Sequence, residues 1–181
     1  GFTRDFGILD ADDSKNLVKA CMKTAGKRPK EERFPKPALV QSIISLSLNT
    51  GKTIGKVLED RYPYFEKFRA DIEKIKELYE KKKKESNNMD YDDLLIKWEL
   101  LLKTVPAARR RFTDKFKYIM VDEYQDTNIL QARIIDILAE KHRNLLVVGD
   151  DAQSIYSFRG ARVDNILEFP SRYDGARIFK L

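Results

Sequence analysis

Cysteine and histidine are almost absent from this sequence. The one cysteine, Cys21, allows no internal disulfide, and the one histidine, His142, excludes a zinc site built from Cys and His side chains of this chain. No run approaches the ~20 consecutive apolar residues that span a bilayer, and the first residues lack the charged-then-apolar pattern of a secretory signal. We therefore expect a cytoplasmic protein with no membrane partner, in which neither Cys21 nor His142 is catalytic.

An excess of one charge sign is present but modest. The 181 residues are 42% apolar and 35% charged, a balance typical of a globular protein with a buried core. The 35 Lys and Arg residues against 29 Asp and Glu give a formal net charge of +6. This charge permits a polyanionic partner such as nucleic acid without requiring one.

A complete phosphate-binding loop is also missing, although "SLNTGKT" at 47–53 looks like the end of one. The pattern G-x-x-x-x-G-K-[ST] needs a glycine five positions before Gly51, and Leu46 stands there. Leucine does not readily adopt the backbone conformations of glycine, and its side chain would crowd an anion. The preceding "PALVQSIISLSL" has helical periodicity, so we predict a helix that begins at Pro37 and ends at Gly51. Lys52 is therefore not assigned to a phosphate.

The first half of the sequence has the periodicity of helices. Asp12 or Asp13 is predicted to cap the first helix, and a long helix is predicted from about Tyr62 to the lysine run at 81–84. The lysines indicate either a solvated helix end or a contact with nucleic-acid phosphate. In "MDYDDLLIKWELLLKTV" the apolar residues, including Trp98, form a helical stripe that predicts core packing.

From residue 117 onward the sequence predicts strands that alternate with a helix. The short β-rich runs "KYIMVDE" and "NLLVVGD" flank the helical "TNILQARIIDILAEKH", and "ARIFKL" is a third candidate strand. This pattern predicts a parallel sheet, in which functional groups gather at the C-terminal ends of the strands. We therefore predict an α/β protein, with a helical N-terminal region followed by a partial parallel sheet. The acidic residues at the predicted strand ends are Asp122, Glu123, Asp150 and Asp151.

Asp122 and Glu123 form an adjacent carboxylate pair at the end of a predicted strand. In nucleotide hydrolases, one carboxylate of such a pair holds Mg²⁺ and the next steers the attacking water. The pair alone is a weak signal, because acidic residues often follow strands as turn or cap residues. The longer strings "VDEYQDTN" and "VVGDDAQSIYSFRGA" make the signal specific.

These two strings resemble motifs II and III of the UvrD/PcrA/Rep group of superfamily 1 DNA helicases. The string "MDYDDLL" at 89–95 is similar to a short signature that precedes motif II in that family. The resemblance covers essentially the whole chain. It implies a helical insertion subdomain of the 1B type over residues 1–110. Over residues 111–181 it implies part of a RecA-like, P-loop NTPase motor subdomain of the 1A type.

The resemblance also implies roles for single residues. Asp122 would coordinate Mg²⁺, Glu123 would act as the base or position the water, and Gln153 would sense the γ-phosphate of ATP. The residues that would lie against single-stranded DNA are Tyr156, Phe158 and Arg159.

The chemistry of the last three residues agrees with such a contact. Aromatic side chains two positions apart both face one side of an extended backbone, and stacking on a base contributes about 1 to 3 kcal/mol. Arg159 would add a partner for phosphate or for stacking. The family often has Trp where Phe158 stands, so the stacking face is smaller here. The alternative is that Tyr156 and Phe158 are core aromatics behind a loop.

By this resemblance the chain is part of an ATP-dependent DNA helicase that moves 3′ to 5′ on single-stranded DNA and unwinds duplex DNA, with ATP and Mg²⁺ as cofactors. Because a true phosphate loop and a second motor domain are missing, we expect this chain alone to be inactive and the rest of the helicase chain to be its partner. The exposed edges of a partial sheet also predict self-association. Two alternatives remain open: the motor part of a helicase–nuclease of the AddA or RecB type, and a catalytically inactive module that binds DNA or protein.

Overall fold

The computed structural model describes residues 2–26, 33–150, 164–173 and 175–180, with the backbone only at position 164. The chain divides into two compact units, Gly1–Leu94 and Leu95–Leu181. The division falls within helix α5 (Tyr91–Thr104), earlier than the predicted boundary between residues 110 and 111. Assignment of the chain to 1B-like and 1A-like subdomains stays a prediction. In the described part of the chain, no helix has the length and apolar character needed to cross a membrane.

The first unit is built from helices, as its periodicity predicts. The helices are α1 (Ala11–Thr24), α2 (Pro37–Thr50), α3 (Ile54–Arg61) and α4 (Arg69–Glu85), with a 3₁₀ helix (Pro63–Phe68) before α4. Strands β1 (Gly7–Ile8) and β2 (Asn88–Met89) form a short parallel pair. The core of this unit includes the buried residues Val18, Ile43, Leu58, Ile72 and Ile75.

The helix ends in this unit follow from local chemistry. Asp10, not Asp12 or Asp13, caps α1: it keeps an extended backbone, and its Oδ1 accepts a hydrogen bond from the Asp13 amide at 2.8 Å. The predicted cap is wrong because residues 12 and 13 already lie in the first helical turn. The long helix predicted from Tyr62 begins as an α-helix only at Arg69, because the 3₁₀ helix precedes it.

The second unit contains the predicted strand–helix–strand arrangement. Strand β3 (Ile119–Val121) pairs in parallel with β4 (Leu145–Val147), and α7 (Ile129–Ala139) connects them. Helix α6 (Pro106–Lys115) precedes β3, while α8 (Asp164–Leu167) and α9 (Phe169–Arg172) follow β4. The buried core residues are Leu102, Leu130, Ile134 and Leu138. The α/β class is therefore confirmed, and the RecA-like assignment stays a prediction.

The strand predicted at the C-terminus is absent from the described residues there, and the apolar stripe predicted for α5 is only partly buried. No strand forms at 176–180, where Ile178 and Phe179 are 69% and 77% exposed and have no paired strand beside them. The sequence predicts an apolar stripe that continues to Val105. Leu102 of α5 is fully buried, whereas Val105, just after the end of the helix, is 40% exposed. Trp98 is half-buried and packs edge-on against Phe112, with ring centroids 6.2 Å apart.

Candidate active site at the end of strand β3

The chain turns sharply where β3 ends. Asp122 and Glu123 follow Val121, the last strand residue, and both side chains are exposed. Glu123 has φ 50° and ψ 44°, a left-handed conformation that costs a residue other than glycine about 1 to 3 kcal/mol. The Tyr124 amide then donates to the Val148 carbonyl at 2.9 Å. This bond holds the turn against the C-terminal end of β4, at the edge where parallel strands present functional groups.

Asp122 has the chemistry of a magnesium ligand. Its Oδ1 accepts a hydrogen bond from the Glu123 amide at 2.9 Å, which fixes the direction of the carboxylate. Mg²⁺ prefers oxygen ligands and is commonly held by one or two carboxylates together with waters and substrate phosphates. One exposed carboxylate at a strand end is therefore a sufficient protein contribution, and the residues present fit the predicted metal.

Glu123 is held by a buried glutamine. Gln125 is 0% exposed, and its Nε2 donates a hydrogen bond to Glu123 Oε2 at 2.7 Å. Its Oε1 accepts a hydrogen bond from the Asp150 amide at 3.2 Å. No role was predicted for Gln125. Its place in a turn, two residues after Glu123, nevertheless allows its side chain to form a hydrogen bond with the Glu123 carboxylate.

Gly149 allows the backbone to approach Gln125. A Cβ at position 149 would lie 2.3 Å from Gln125 Oε1 and 2.8 Å from Ile166 Cδ1. A separation of 2.3 Å is far below van der Waals contact, so any larger residue would displace the amide. The glycine in "VVGD" is therefore required by packing, which the sequence alone does not indicate.

Polar contacts also fix the start of α7 and the segment just before it. Asn128 caps α7 and forms a capping box with Gln131, in which each side chain bonds the other residue's amide, at 2.8 and 2.9 Å. Asn165 Nδ2 donates to the Thr127 carbonyl at 2.8 Å. The capping box fixes the start of α7, and the Asn165 bond ties Thr127 to α8.

Tyr124 anchors the same loop through packing. Its side chain is 0% exposed and meets Phe169 edge to face, with centroids 5.6 Å apart. Burial raises the pKa of the Tyr124 hydroxyl, so this residue is neutral at physiological pH. Tyr124 is a structural support for the loop.

Comparison with known proteins decides the family. The model of the UvrD/REP helicase N-terminal domain matches residues 1–174. The chain belongs to the UvrD/REP helicase family.

Among its relatives is the ATP-dependent DNA helicase PcrA of Bacillus subtilis strain 168, with 36% identity over 183 residues, covering 100% of this chain and 24% of PcrA. The ATP-dependent DNA helicase PcrA of Staphylococcus epidermidis is 36% identical over 177 residues, covering 98% of this chain and 24% of that protein. The PcrA of Staphylococcus aureus is 35% identical over 176 residues, covering 97% of this chain and 23% of that protein. The chain thus spans about a quarter of the length of these relatives.

The "GKT" string of this UvrD/REP family member is a helix end, as predicted. Gly51 adopts φ 69° and terminates α2, and Ser47 Oγ donates to the Lys52 carbonyl at 2.7 Å. Lys52 Nζ lies 2.7 Å from Asp60 Oδ2. Its ammonium group is thus paired with a carboxylate on α3.

The string "MDYDDLL" contributes carboxylates to a buried ion cluster with α4. Lys83 is 1% exposed, and its Nζ lies 2.6 Å from Asp90 Oδ2 and 2.5 Å from Asp93 Oδ2. Tyr79 donates its hydroxyl hydrogen to Asp90 Oδ2 at 2.8 Å. Although burial opposes ionisation, the Lys83 ammonium holds the pKa of Asp90 below its usual value. For Lys83, both interpretations of the lysine run, as a solvated helix end and as a phosphate contact, are therefore wrong.

The remaining predicted site residues of the UvrD/REP motifs lie outside the described residues. They are Asp151, Gln153, Tyr156, Phe158 and Arg159. Their roles, like those of Asp122 and Glu123, stay predictions. The structure adds Gln125 and Gly149 to the residues that form this site.

Proposed function

We propose that this chain is part of an ATP-dependent DNA helicase and supplies the strand-end carboxylates used in ATP hydrolysis. The exposed pair Asp122 and Glu123, at the C-terminal end of β3 beside the parallel strand β4, carries this proposal. Membership of the UvrD/REP family supports it, as does similarity to PcrA relatives that are named ATP-dependent DNA helicases. The proposal includes ATP and Mg²⁺ as cofactors, movement 3′ to 5′ on single-stranded DNA, unwinding of duplex DNA and a cytoplasmic location.

Each residue has a separate task in this proposal. Asp122 would bind Mg²⁺, which when bound neutralises charge on the ATP phosphates. Glu123 would orient the attacking water and accept its proton, a task for which an exposed carboxylate beside a metal ligand is well placed. Gln153 would respond to the γ-phosphate. The contacts to single-stranded DNA would come from Tyr156, Phe158 and Arg159.

The rest of the helicase chain would be the partner of this segment. Because the chain spans about a quarter of the length of its PcrA relatives, we place the remaining ATP contacts outside it. This segment alone is therefore expected to show no ATP turnover. The full-length protein is the proper object for activity measurements.

The test is a Glu123→Gln substitution in the full-length protein. This change keeps the size of the side chain but removes its capacity to accept a proton, so the kcat of DNA-stimulated ATP hydrolysis should fall by about 100-fold or more. Glu140→Gln makes the same chemical change at the opposite end of α7, where Glu140 pairs with Arg109 on the surface, and should leave kcat unchanged. Wild-type turnover by the Glu123→Gln variant would contradict the proposal.

A further inference from the structure

We infer that Gln125 is the positioning residue for Glu123, and that it couples the Glu123 carboxylate to the C-terminal end of β4 through the Asp150 amide. This inference rests on the proposed function of Glu123. It concerns a buried side chain that would touch neither nucleotide nor metal. Its effect on hydrolysis would act entirely through Glu123.

The two partners of Gln125 fix the orientation of its amide. A backbone N–H can only donate, so it requires the Gln125 oxygen, and an ionised carboxylate only accepts, so it requires the Gln125 nitrogen. The observed bonds, 3.2 Å from the Asp150 amide and 2.7 Å to Glu123 Oε2, satisfy both requirements. A flipped amide would place like groups against each other at both ends. The side chain therefore has one stable arrangement.

In the part of the chain that the structure describes, the Gln125 amide is the one hydrogen-bond donor to the Glu123 carboxylate. The side chain is exposed, and a free glutamate loses rotamer freedom when it is ordered. The Gln125 bond uses Oε2 and leaves Oε1 for a water. A base held in one rotamer is already close to the geometry of attack, which is where positioning raises kcat.

Gly149 makes the coupling stiff. The 2.3 Å approach of a Cβ at position 149 to Gln125 Oε1 shows that the glutamine amide lies directly against the backbone before Asp150. Any movement of this backbone is then transmitted to the amide and to Glu123. A shift at the end of β4 would therefore displace the Glu123 carboxylate.

The first test is Gln125→Ala in the full-length protein. The kcat of DNA-stimulated ATP hydrolysis should fall between about 10- and 100-fold, as expected for a misplaced base, while the KM for ATP stays within about twofold. Gln131→Ala is the matched control, because it also removes a glutamine amide bonded to a nearby backbone N–H, that of Asn128. This control should lower the melting temperature and leave kcat unchanged.

The second test is a double-mutant cycle that combines Gly149→Ala with Gln125→Ala. Gly149→Ala should lower kcat by displacing Gln125. In the Gln125→Ala background the added methyl group meets no glutamine, only the flexible end of Ile166 at 2.8 Å and the Tyr124 backbone nitrogen at 3.2 Å. The kcat of the double variant should therefore stay within about twofold of that of Gln125→Ala alone. Additive losses in the cycle would overturn the coupling.

The outcomes separate this inference from the proposed function. If Glu123→Gln abolishes turnover while Gln125→Ala keeps the wild-type kcat, the inference is wrong and the proposed function stands. Wild-type turnover by Glu123→Gln removes both. A third outcome is that the two alanine variants show the same drop in kcat together with the same drop in melting temperature. That result would overturn the inference, since the loss of kcat in Gln125→Ala would then reflect lost stability.

Discussion

Lys83 differs from its exposed neighbour Lys84 because its side chain is buried. Its ammonium group is enclosed by Asp90 and Asp93 and lies over the Tyr79 ring, 4.4 Å from the centroid. Lys84, one residue later, is exposed. Removing one partner from a buried ion cluster leaves the other charges without compensation, which costs more than the loss of an exposed pair.

We therefore expect Lys83→Met to lower the free energy of unfolding by about 3 to 5 kcal/mol. Methionine replaces the aliphatic part of the side chain but leaves the buried Asp90 and the half-buried Asp93 without a counter-charge. Lys84→Met, on the exposed side of the same helix, should change the free energy by less than about 0.5 kcal/mol. Urea unfolding followed by circular dichroism measures both values, and equal midpoints for the two variants would refute the assignment.

Asp92, in the same signature, has the opposite electrostatic character. Burial raises the pKa of this carboxyl, whose Oδ1 accepts a hydrogen bond from Asn49 Nδ2 at 2.7 Å. A raised pKa means that the folded state favours the protonated acid. Stability from this group is therefore present at low pH and is lost as the pH rises through the carboxyl range.

Asp92→Asn should thus be more stable than the wild type at neutral pH, because the amide keeps the Oδ1 acceptor and carries no charge to bury. The difference in stability between the variant and the wild type should shrink as the pH falls toward 3.8, the usual pKa of an Asp side chain, because the wild-type carboxyl is then also neutral. Melting temperatures of both proteins across this range are the measurement. A constant difference at all pH values would show that charge burial is not the cause.

At the scale of elements, the features predicted correctly are those that local chemistry decides. Pro37 and Gly51 mark the two ends of α2, and the helix predicted between the two strand runs forms as α7. The sequence also contained a signal for Lys83, since it continues the helical spacing of Ile72, Ile75 and Tyr79. The general rule that lysines are exposed predicts the opposite, so the spacing alone does not identify Lys83 as buried. The bond from Gln125 to Asp150 joins distant parts of the chain, so no local pattern predicts it.

The end of α2 also gives a prediction about ATP. Lys52 lies on the surface beside Asp60, and an exposed pair of this kind contributes about 0 to 1 kcal/mol. In the full-length protein, Lys52→Ala should therefore change neither kcat nor the KM for ATP by more than about twofold, the size of effect expected where no catalytic contact is removed. Steady-state hydrolysis measures both, and a collapse of turnover would mean that this lysine does contact phosphate.

At the scale of the whole molecule, one face of the β3–β4 pair is left open by the residues that the structure describes. Met120 lies opposite Leu146 across the two strands, and these side chains are 78% and 51% exposed. Tyr118, just before β3, is 77% exposed. Parallel sheets are normally covered on both faces, so apolar side chains at these positions are suited to burial. In the isolated chain this surface favours self-association.

Replacing Met120 and Leu146 together with lysine should therefore shift the isolated chain toward monomer, because two charges on the open face oppose contact between copies. Sedimentation equilibrium measures the shift, and Leu167→Lys is the control, since Leu167 is 59% exposed and belongs to α8, not to the strand pair. The same pair of substitutions should leave the melting temperature of the isolated chain nearly unchanged, because both side chains already face solvent. In the full-length protein it should lower the melting temperature, because there the rest of the chain would cover this face and two lysines would have to be buried. An unchanged oligomeric state of the isolated double variant would show that this face does not drive association.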